Sequence, residues 1–275
     1  MKKRNLTLRI CGRSLVYLYG LFLLIPMYFI LITAFKPQSE IIQNPLGLPL
    51  ALNLSNFSGA IAQVNLLRGA TNSVIIAVGS VAFALFNAVL VTYCIKKLSV
   101  HRIGRILYNI VILGMFIPGT GLAATLVLYQ RLHLVNNFWG LILGAGVGGL
   151  PFNLFIMSGF MRTIPKELEE AAFIDGCGDL QSLFYITVPL IKPIMISIGI
   201  FTFVGSWNNL MMPLLLLRKP GLQTIPMGLL VFRDMYHVQY NYIFAGILIT
   251  ALPLVILYLI FQKHFVEALA GGVKG

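Results

Sequence analysis

Long stretches without a single charge constrain the fold of this chain more than any other feature. Six apolar runs of about 20 residues or more, the length that a helix needs to cross a bilayer, contain no Asp, Glu, Lys, Arg or His. They are 14–35, 72–95, 106–129, 138–160, 193–217 and 242–262. Only 10% of the 275 residues are charged, whereas soluble domains carry about 25%. The pattern therefore predicts an all-α polytopic membrane protein with six transmembrane helices, folded as a single domain over 1–275.

Glycine and proline interrupt two of these runs. The third contains Pro118, Gly119 and Gly121, and the fourth is rich in glycine and is followed by Pro151. Small residues allow helices to cross closely, and glycine–proline clusters allow a bend or an unwound turn beside a cavity. The sequence leaves both alternatives open.

The distribution of basic residues predicts the orientation. Of the 20 Lys and Arg residues, most lie in the four segments 1–13, 96–105, 161–192 and 263–275. The segments 36–70, 130–137 and 218–240 have a similar total length and hold far fewer. Cytoplasmic loops carry the excess of Lys and Arg, so both termini and the segment 161–192 are expected in the cytoplasm.

The segment 165–189 is a polar island between the fourth and fifth runs. It holds more than half of the acidic residues in the chain: Glu167, Glu169, Glu170, Asp175 and Asp179. Pro165 followed by acidic residues predicts a helix start, and Gly176 predicts its end. Asp179 is then expected to cap a second helix that Pro189 terminates.

Small and apolar side chains in the first of these helices predict a docking surface. Ala171 and Ala172 permit close approach of another protein, and Leu168 and Phe173 supply anchors. The proposed surface comprises Leu168, Glu169, Glu170, Ala171, Ala172, Phe173, Asp175 and Gly176. The alternative is a solvated helical hairpin that merely connects two spans.

Several kinds of chemistry have no counterpart in this sequence. It contains no G-x-x-x-x-G-K-[ST] loop to hold nucleotide phosphates, no HExxH, and no catalytic constellation that would suit an enzyme. The basic residues flank apolar runs rather than forming a patch for nucleic acid. Cys11, Cys94 and Cys177 have no disulfide or metal-site spacing. We expect a chain without catalytic residues, metal or cofactor of its own.

The apolar runs indicate an uncharged substrate. Proton-coupled carriers and carriers of charged solutes usually have ionisable groups at mid-membrane, and these runs have none. Amides and aromatic rings suit a hydroxylated ring instead, and the candidates for a substrate path are Asn153, Trp207, Asn208 and Asn209. Gly205 and Pro213 flank the last two and could open the helix there. The alternative is that these amides only hold neighbouring helices together.

The polar island resembles a known sequence signature. Glu170-Ala171-Ala172, Asp175-Gly176 and Pro189 resemble the "EAA" loop in the membrane subunits of ATP-driven (ABC) importers. Three further stretches resemble the sugar-uptake branch: 136–140, 205–209 and 270–275. Within that branch, the length of the chain and its tail are most similar to the shorter second permease of maltose-type systems. Cys177-Gly178 and Asn209 depart from the family, which more often has Ala-Ser and an acidic residue at these positions.

The resemblance implies a complete transport machine. It implies that the loop between spans four and five forms cytoplasmic coupling helices that dock on an ATPase. It also implies a heterodimer with a second permease subunit, two ATPase subunits that bind ATP and Mg, an extracytoplasmic solute-binding protein and a sugar substrate. The location would be the cytoplasmic (inner) membrane of a bacterium. The alternatives are an ABC permease for a non-sugar solute and an ATP-independent secondary carrier.

Overall fold

The architecture is all-helical. The computed structural model describes residues 2–99, 102–116, 121–233 and 238–271. Within them it has fourteen α-helices: α1 Lys2–Ala34, α2 Gln38–Gln43, α3 Ser55–Val64, α4 Leu66–Leu98, α5 Arg102–Leu113, α6 Leu122–Arg131, α7 Phe138–Gly148, α8 Leu150–Met161, α9 Lys166–Ile174, α10 Asp179–Ser182, α11 Val188–Trp207, α12 Met211–Leu216, α13 Ile225–Leu229 and α14 Tyr240–Gly271. A π-helical segment, Leu183–Thr187, joins α10 to α11.

Four stretches of helix are long and apolar enough to cross a membrane, among the residues described. They are Gly12–Ala34, Leu66–Leu98, Asp179–Trp207 and Tyr240–Gln262. The pair α7 and α8 forms a fifth stretch if the two are counted as one bent span. The protein is therefore a polytopic helical membrane protein, with four to five candidate spans in the part of the chain that the structure describes.

The third and fourth apolar runs are both broken. The third lies on α5 and α6, and its Pro118 and Gly119 fall outside the described residues. The fourth bends by 46° between α7 and α8, at Gly149. Its glycines also allow close packing, because a Cβ on Gly146 would clash with the ring of Phe83. Both alternatives left open by the sequence therefore apply to this run.

The chain divides into two compact units. The first is drawn from Met1–Leu67 and Gly228–Pro253, and the second from Arg68–Met227 and Leu254–Gly275. In the first unit, buried Asn56 donates hydrogen bonds to the carbonyls of Ala34 and Lys36, both at 2.9 Å. Asn241 donates to Asn56 Oδ1 at 3.0 Å, so one amide connects α1, α3 and α14.

The second unit holds a core that positions the polar island. Side chains of α4, α8, the π-helical segment and α11 form one buried cluster: Ala88, Val89, Tyr93, Met157, Met161, Ile164, Leu183, Ile191 and Ile198. A second cluster joins α4, α7 and α12 through Ile76, Leu141 and Leu216. Where the core borders water, burying each large apolar side chain stabilises it by about 1.5–3 kcal/mol. Inside a bilayer, van der Waals packing between the helices holds them together instead.

The expectation that Pro189 ends a helix is wrong. The helix runs from Asp179 to Trp207 as one stretch of 29 residues. In the π-helical segment, the Val188 N–H bonds to the carbonyl of Leu183, five residues earlier. This wider turn lies directly before Pro189, where the proline ring would otherwise clash with the preceding turn, so the helix continues without an ordinary hydrogen bond at the proline.

Candidate functional site

The helix α9 begins where the sequence predicts. Pro165 occupies the position before the first helical residue, with φ −57° and ψ 134°. Glu167 and Glu169 lie in the first turn, where the positive end of the helix dipole stabilises carboxylates. The acidic residues therefore favour this start on electrostatic grounds alone.

Gly176 closes the helix in a left-handed conformation. Its φ is +83°, which a residue with a Cβ adopts only at a cost. The Gly176 N–H donates to the Phe173 carbonyl at 3.1 Å, and the Cys177 N–H donates to the Ala172 carbonyl at 2.9 Å. These two bonds form a Schellman motif, which fixes the angle at which the chain leaves α9.

The cap of the next helix is not Asp179, contrary to the prediction. Gly178 holds the capping position, and its N–H donates to Gln181 Oε1 at 2.9 Å. The Asp179 carboxylate instead accepts a hydrogen bond from Lys97 Nζ at 2.9 Å. The Asp179 carboxylate therefore forms an ion pair with Lys97 on α4 instead of capping the helix, as the local sequence predicted.

Contacts between α4 and the polar island hold the island in place. Lys96 Nζ lies 2.6 Å from Glu169 Oε1, and the Tyr93 hydroxyl donates to the Asp179 carbonyl at 3.0 Å. Lys97 Nζ also lies 4.1 Å from the centroid of the Phe173 ring. Partly exposed ion pairs contribute about 0.2–1 kcal/mol each. Together these contacts connect α9 and α10 to the end of a candidate transmembrane helix.

The predicted docking residues divide between an exposed face and a buried one. Ala172 is only 5% exposed, and Glu169 pairs with Lys96, so these two hold α9 against its own chain. The others are exposed to solvent: Leu168, Glu170, Ala171, Phe173, Asp175 and Gly176. We call this set, together with Ile174, the elbow face.

Ile174 was not singled out from the sequence, although it is 86% exposed. It lies three residues after Ala171 and six after Leu168, which places all three on one side of a helix. That spacing is the signal which would have found it. Leu168, Phe173 and Ile174 are all exposed on this short helix, and apolar side chains exposed together indicate a contact surface.

A cleft of about 480 Å³ lies elsewhere in the second unit. Helices α7, α8, α11 and α12 supply most of its walls, and several positions are glycine. Its lining includes Tyr129, Gly144, Gly148, Phe152, Asn153, Phe201, Thr202, Gly205, Ser206 and Asn209. Its volume lies in the range of small-molecule sites.

Asn153 and Asn209 both line this cleft, as members of one site. Asn153 is 3% exposed, and its Nδ2 has no hydrogen-bond partner among the described residues. Asn209 Oδ1 accepts a bond from the Met212 N–H at 3.2 Å, at the start of α12. A buried amide donor without a partner is costly unless a ligand or water completes it.

Trp207 and Asn208 do not line the cleft. Trp207 is 1% exposed and its ring stacks on Phe203, with centroids 5.7 Å apart. Asn208 follows the last residue of α11 and is exposed. The helix does open at Asn208 and Asn209, as Gly205 and Pro213 predicted, because α11 ends at Trp207 and α12 begins at Met211.

Tyr129 is a lining residue that the sequence did not reveal. A Cβ on Gly144 would clash with the Tyr129 hydroxyl, so the glycine allows this phenol to approach the backbone of α7. A tyrosine at the end of an apolar run gives no sign of which glycine it will meet. Only the tertiary packing brings the two together.

Comparison with known proteins shows the family to which the chain belongs. Residues 88–270 match the model of the family described as "Binding-protein-dependent transport system inner membrane component". The probable ABC transporter permease protein YurM of Bacillus subtilis is 32% identical over 263 residues, which cover 94% of this chain and 87% of that protein. The probable starch degradation products transport system permease protein AmyC of Thermoanaerobacterium thermosulfurigenes is 32% identical over 90% of this chain and 91% of its own.

A solved structure shares the fold. It is the crystal structure of a bacterial ABC transporter involved in the import of the acidic polysaccharide alginate. One of its chains superposes with a TM-score of 0.84 at 22% identity, over 94% of this chain and 96% of that one. The matched family segment contains α9 and every lining residue of the cleft except Ile76.

Proposed function

The chain belongs to the family of inner membrane components of binding-protein-dependent transport systems, and we propose that it is one of two permease subunits of an ATP-driven importer for a sugar or oligosaccharide. The family is the non-catalytic membrane part of such importers. A sugar is favoured by the similarity to AmyC, which is described as a probable permease for starch degradation products. The cleft agrees, because it is lined by amides, hydroxyls and aromatic rings with no charged side chain.

The proposed topology has six spans with both termini in the cytoplasm. The candidate spans among the described residues account for four or five of them. The remaining one is the third apolar run, which α5 and α6 would cross as a broken span. The excess of Lys and Arg on the side of segment 161–192 supports the orientation.

The elbow face is proposed to seat in a partner ATPase subunit. The observation that carries this assignment is the construction of α9: a short helix closed by a Schellman motif, connected to α4 by Lys96–Glu169 at 2.6 Å, with apolar side chains exposed on its outer face. Such an element can transmit displacement because its inner face is attached to α4 by this ion pair and by buried Ala172. Ala172 and Glu169 serve as its attachment, and Leu168, Glu170, Ala171, Phe173, Asp175 and Gly176 as its contact surface.

Energy and substrate come from partner chains in this proposal. Two ATPase subunits bind ATP and Mg, an extracytoplasmic binding protein delivers the sugar, and a second permease subunit completes the pathway. Closure of the ATPase pair moves α9, and α4 and α11 move with it. The cleft then changes the side on which it opens, which requires that the ATPase bind the two states with different affinity.

The cleft is proposed as this subunit's part of the substrate path. Asn153 offers an unpaired donor and Asn209 an amide at a helix break, while Phe152 and Phe201 supply ring faces for sugar C–H groups. Trp207 and Asn208 support the path from outside the cleft: stacked Trp207 fixes the end of α11, and Asn208 ends that helix.

The test is an assembly and transport experiment. The chain is co-purified with its neighbouring permease, ATPase and binding protein and reconstituted in vesicles, and ATPase activity is measured with neutral oligosaccharides, amino acids and peptides. Stimulation by a neutral oligosaccharide through the binding protein is the expected result. Stimulation by an amino acid or peptide alone would contradict the sugar assignment, and solute flux through the purified chain without any ATPase would contradict the importer.

A further inference from the structure

A second pocket lies next to the base of α9 and is lined by cations. It has a volume of about 330 Å³ and lies between the end of α4, the start of α5 and the end of α8. We call it the basic pocket. Its lining consists of Thr92, Ile95, Lys96, Ser99, Gly104, Arg105, Tyr108, Asn109, Ser158, Met161 and Arg162.

The charges of this pocket are not balanced by its own walls. Three of its lining residues are cationic and none is acidic. Lys96 pairs with Glu169, but neither Arg105 nor Arg162 makes an ion pair among the described residues. Guanidinium groups are the side chains best suited to bind a phosphate with two hydrogen bonds.

A buried hydroxyl in the same pocket also lacks a partner. Thr92 is 2% exposed, and its Oγ1 makes no hydrogen bond within the described part of the chain. A helical threonine commonly bonds to a carbonyl one turn earlier, and this one does not. A buried polar group left open in this way indicates a ligand or water that completes it.

Close backbone packing fixes the shape of this pocket. Gly104 is buried against the backbone of Leu98 and Ser99, and a Cβ there would clash with both. This close approach holds α5 against the end of α4. Arg162 lies with its guanidinium carbon 5.8 Å from the centroid of the Tyr108 ring, which orients one of the two arginines that make no ion pair among the described residues.

Apolar side chains continue from the mouth of the pocket along α5. Ile103, Ile106 and Ile110 are 61%, 49% and 60% exposed. A cationic pocket beside an exposed apolar helix face matches the two ends of a phospholipid. Basic pockets between transmembrane helices are the usual binding sites of anionic headgroups.

We propose that the basic pocket binds the phosphate headgroup of an anionic phospholipid, held by Arg105, Arg162 and the Thr92 hydroxyl, with its acyl chains along α5. Lys96 lines the pocket and also pairs with Glu169 on α9, so the bound phosphate lies next to the attachment of the elbow face. A lipid in this position adds negative charge beside Lys96 and competes with Glu169 for it. Lipid composition would then influence how firmly α9 is attached to α4.

The binding test uses the assembled importer in nanodiscs. Native mass spectrometry compares retention of phosphatidylglycerol with that of phosphatidylcholine of the same chain length. Each cation near a membrane surface contributes about 1 kcal/mol to anionic lipid binding, so Arg105→Gln with Arg162→Gln should lower the preference for phosphatidylglycerol roughly 25-fold. Thr92→Val keeps the shape and charge and should lower the preference about fivefold. The matched control is Arg131→Gln with Arg218→Gln, which removes the same charge from outside the pocket and should lower the preference much less than the pocket variant does.

A second arm separates the two sources of phosphate. Inorganic phosphate at millimolar concentration is added to complexes in phosphatidylcholine nanodiscs and followed by phosphorus NMR. No pocket-dependent binding is expected, because a free ion lacks the acyl chains that α5 would contact. If inorganic phosphate binds and the arginine variants abolish it, the ligand is a soluble phosphate and the lipid assignment is overturned. If the arginine variants retain phosphatidylglycerol like the native complex, the site itself is overturned. Neither result depends on whether the importer carries a sugar.

Discussion

The elbow face and the cleft differ in how they are held. The elbow is set by local hydrogen bonds and by charges: a glycine at φ +83°, two closing backbone bonds and two ion pairs to α4. The cleft is formed by helices that are distant in sequence, with glycines where they pack. One buried amide in it, that of Asn153, has an Nδ2 without a hydrogen-bond partner among the described residues. The proposed contact with the ATPase is thus rigid, whereas the proposed contact with the substrate keeps a hydrogen-bond donor without a protein partner.

The contrast suits a device that transmits force at one end and binds solute at the other. An element that transmits displacement must be rigid. The end of α9 is therefore closed by hydrogen bonds between residues close in sequence, which form without a partner protein. A transport site must bind and release, so its polar groups are only partly satisfied before the substrate arrives. Substitutions in the two regions should therefore separate coupling from binding.

Filling the cleft should have the largest effect. Gly205 lines the cleft, and no atom lies within 4 Å of a Cβ placed on it. Gly205→Leu should therefore fold normally while occupying the space proposed for the sugar, and uptake by reconstituted vesicles should fall to background. The control is Gly159→Leu, on an exposed helix position outside the cleft that is equally free of neighbours. If both variants transport like the native protein, the cleft is not on the path.

Destabilising the end of α9 should uncouple ATP hydrolysis from substrate binding. Gly176→Ala places a Cβ at φ +83°, which costs about 1–2 kcal/mol and so destabilises the Schellman motif. We expect substrate-stimulated ATPase activity to fall roughly 5- to 30-fold with the sugar concentration at half-stimulation unchanged.

The change two residues later provides the control for the elbow. Gly178 has φ −76°, and the nearest atom to an added Cβ is 3.9 Å away. Gly178→Ala should therefore leave stimulation as it is. Equal losses in both variants would mean that the left-handed closure of α9 does not matter for coupling.

Removing the open amide should weaken binding only. Asn153→Leu keeps a similar volume and removes a donor that has no protein partner, so the thermal stability of the complex should not fall. One lost hydrogen bond to a neutral sugar hydroxyl is worth about 0.5–1.5 kcal/mol, so half-stimulation should require roughly 2- to 10-fold more sugar. Asn208→Leu, outside the cleft, is the comparison. A drop in stability for Asn153→Leu with unchanged sugar dependence would make Asn153 a structural amide.

Loosening the attachment of α9 should have the smallest effect. Lys96 and Glu169 are partly exposed, with 24% and 13% of their side-chain areas accessible, so a double-mutant cycle of Lys96→Gln and Glu169→Gln should give a coupling energy of about 0.2–1 kcal/mol. The readout is the midpoint of thermal unfolding of the complex. An interaction energy of zero would leave the Lys97–Phe173 contact and buried Ala172 as the contacts that hold α9.

The elbow could be predicted from sequence because its determinants are local. Pro165, the glutamates and Gly176 act within a few residues of their own position, and the structure has α9 where they indicate. The predictions for Asp179 and Pro189, which also rested on local sequence, were wrong. Asp179 forms an ion pair with Lys97, 82 residues away, instead of capping a helix. A π-helical turn before Pro189 lets the helix continue past the proline.

The cleft could be predicted only in part for the opposite reason. Asn153 and Asn209 were identifiable as polar groups at membrane depth, but nothing local distinguishes them from Trp207, which is equally close to the helix break and packs elsewhere. Which side of α11 faces the cleft depends on α7, α8 and α12. The approach of Tyr129 to Gly144 likewise depends on how α6 meets α7.

The most direct test of the account is a cross-link from the elbow face to the ATPase. In a background in which Cys11, Cys94 and Cys177 are replaced by Ser, Ile174→Cys is compared with Ala172→Cys in the assembled importer, using a short thiol-reactive cross-linker. Ile174 is 86% exposed and Ala172 5%, so the first variant should form an adduct that contains the ATPase and the second should not. If Ile174→Cys cross-links to no ATPase, or reacts with a membrane-impermeant maleimide added outside intact cells, the elbow is not the coupling element.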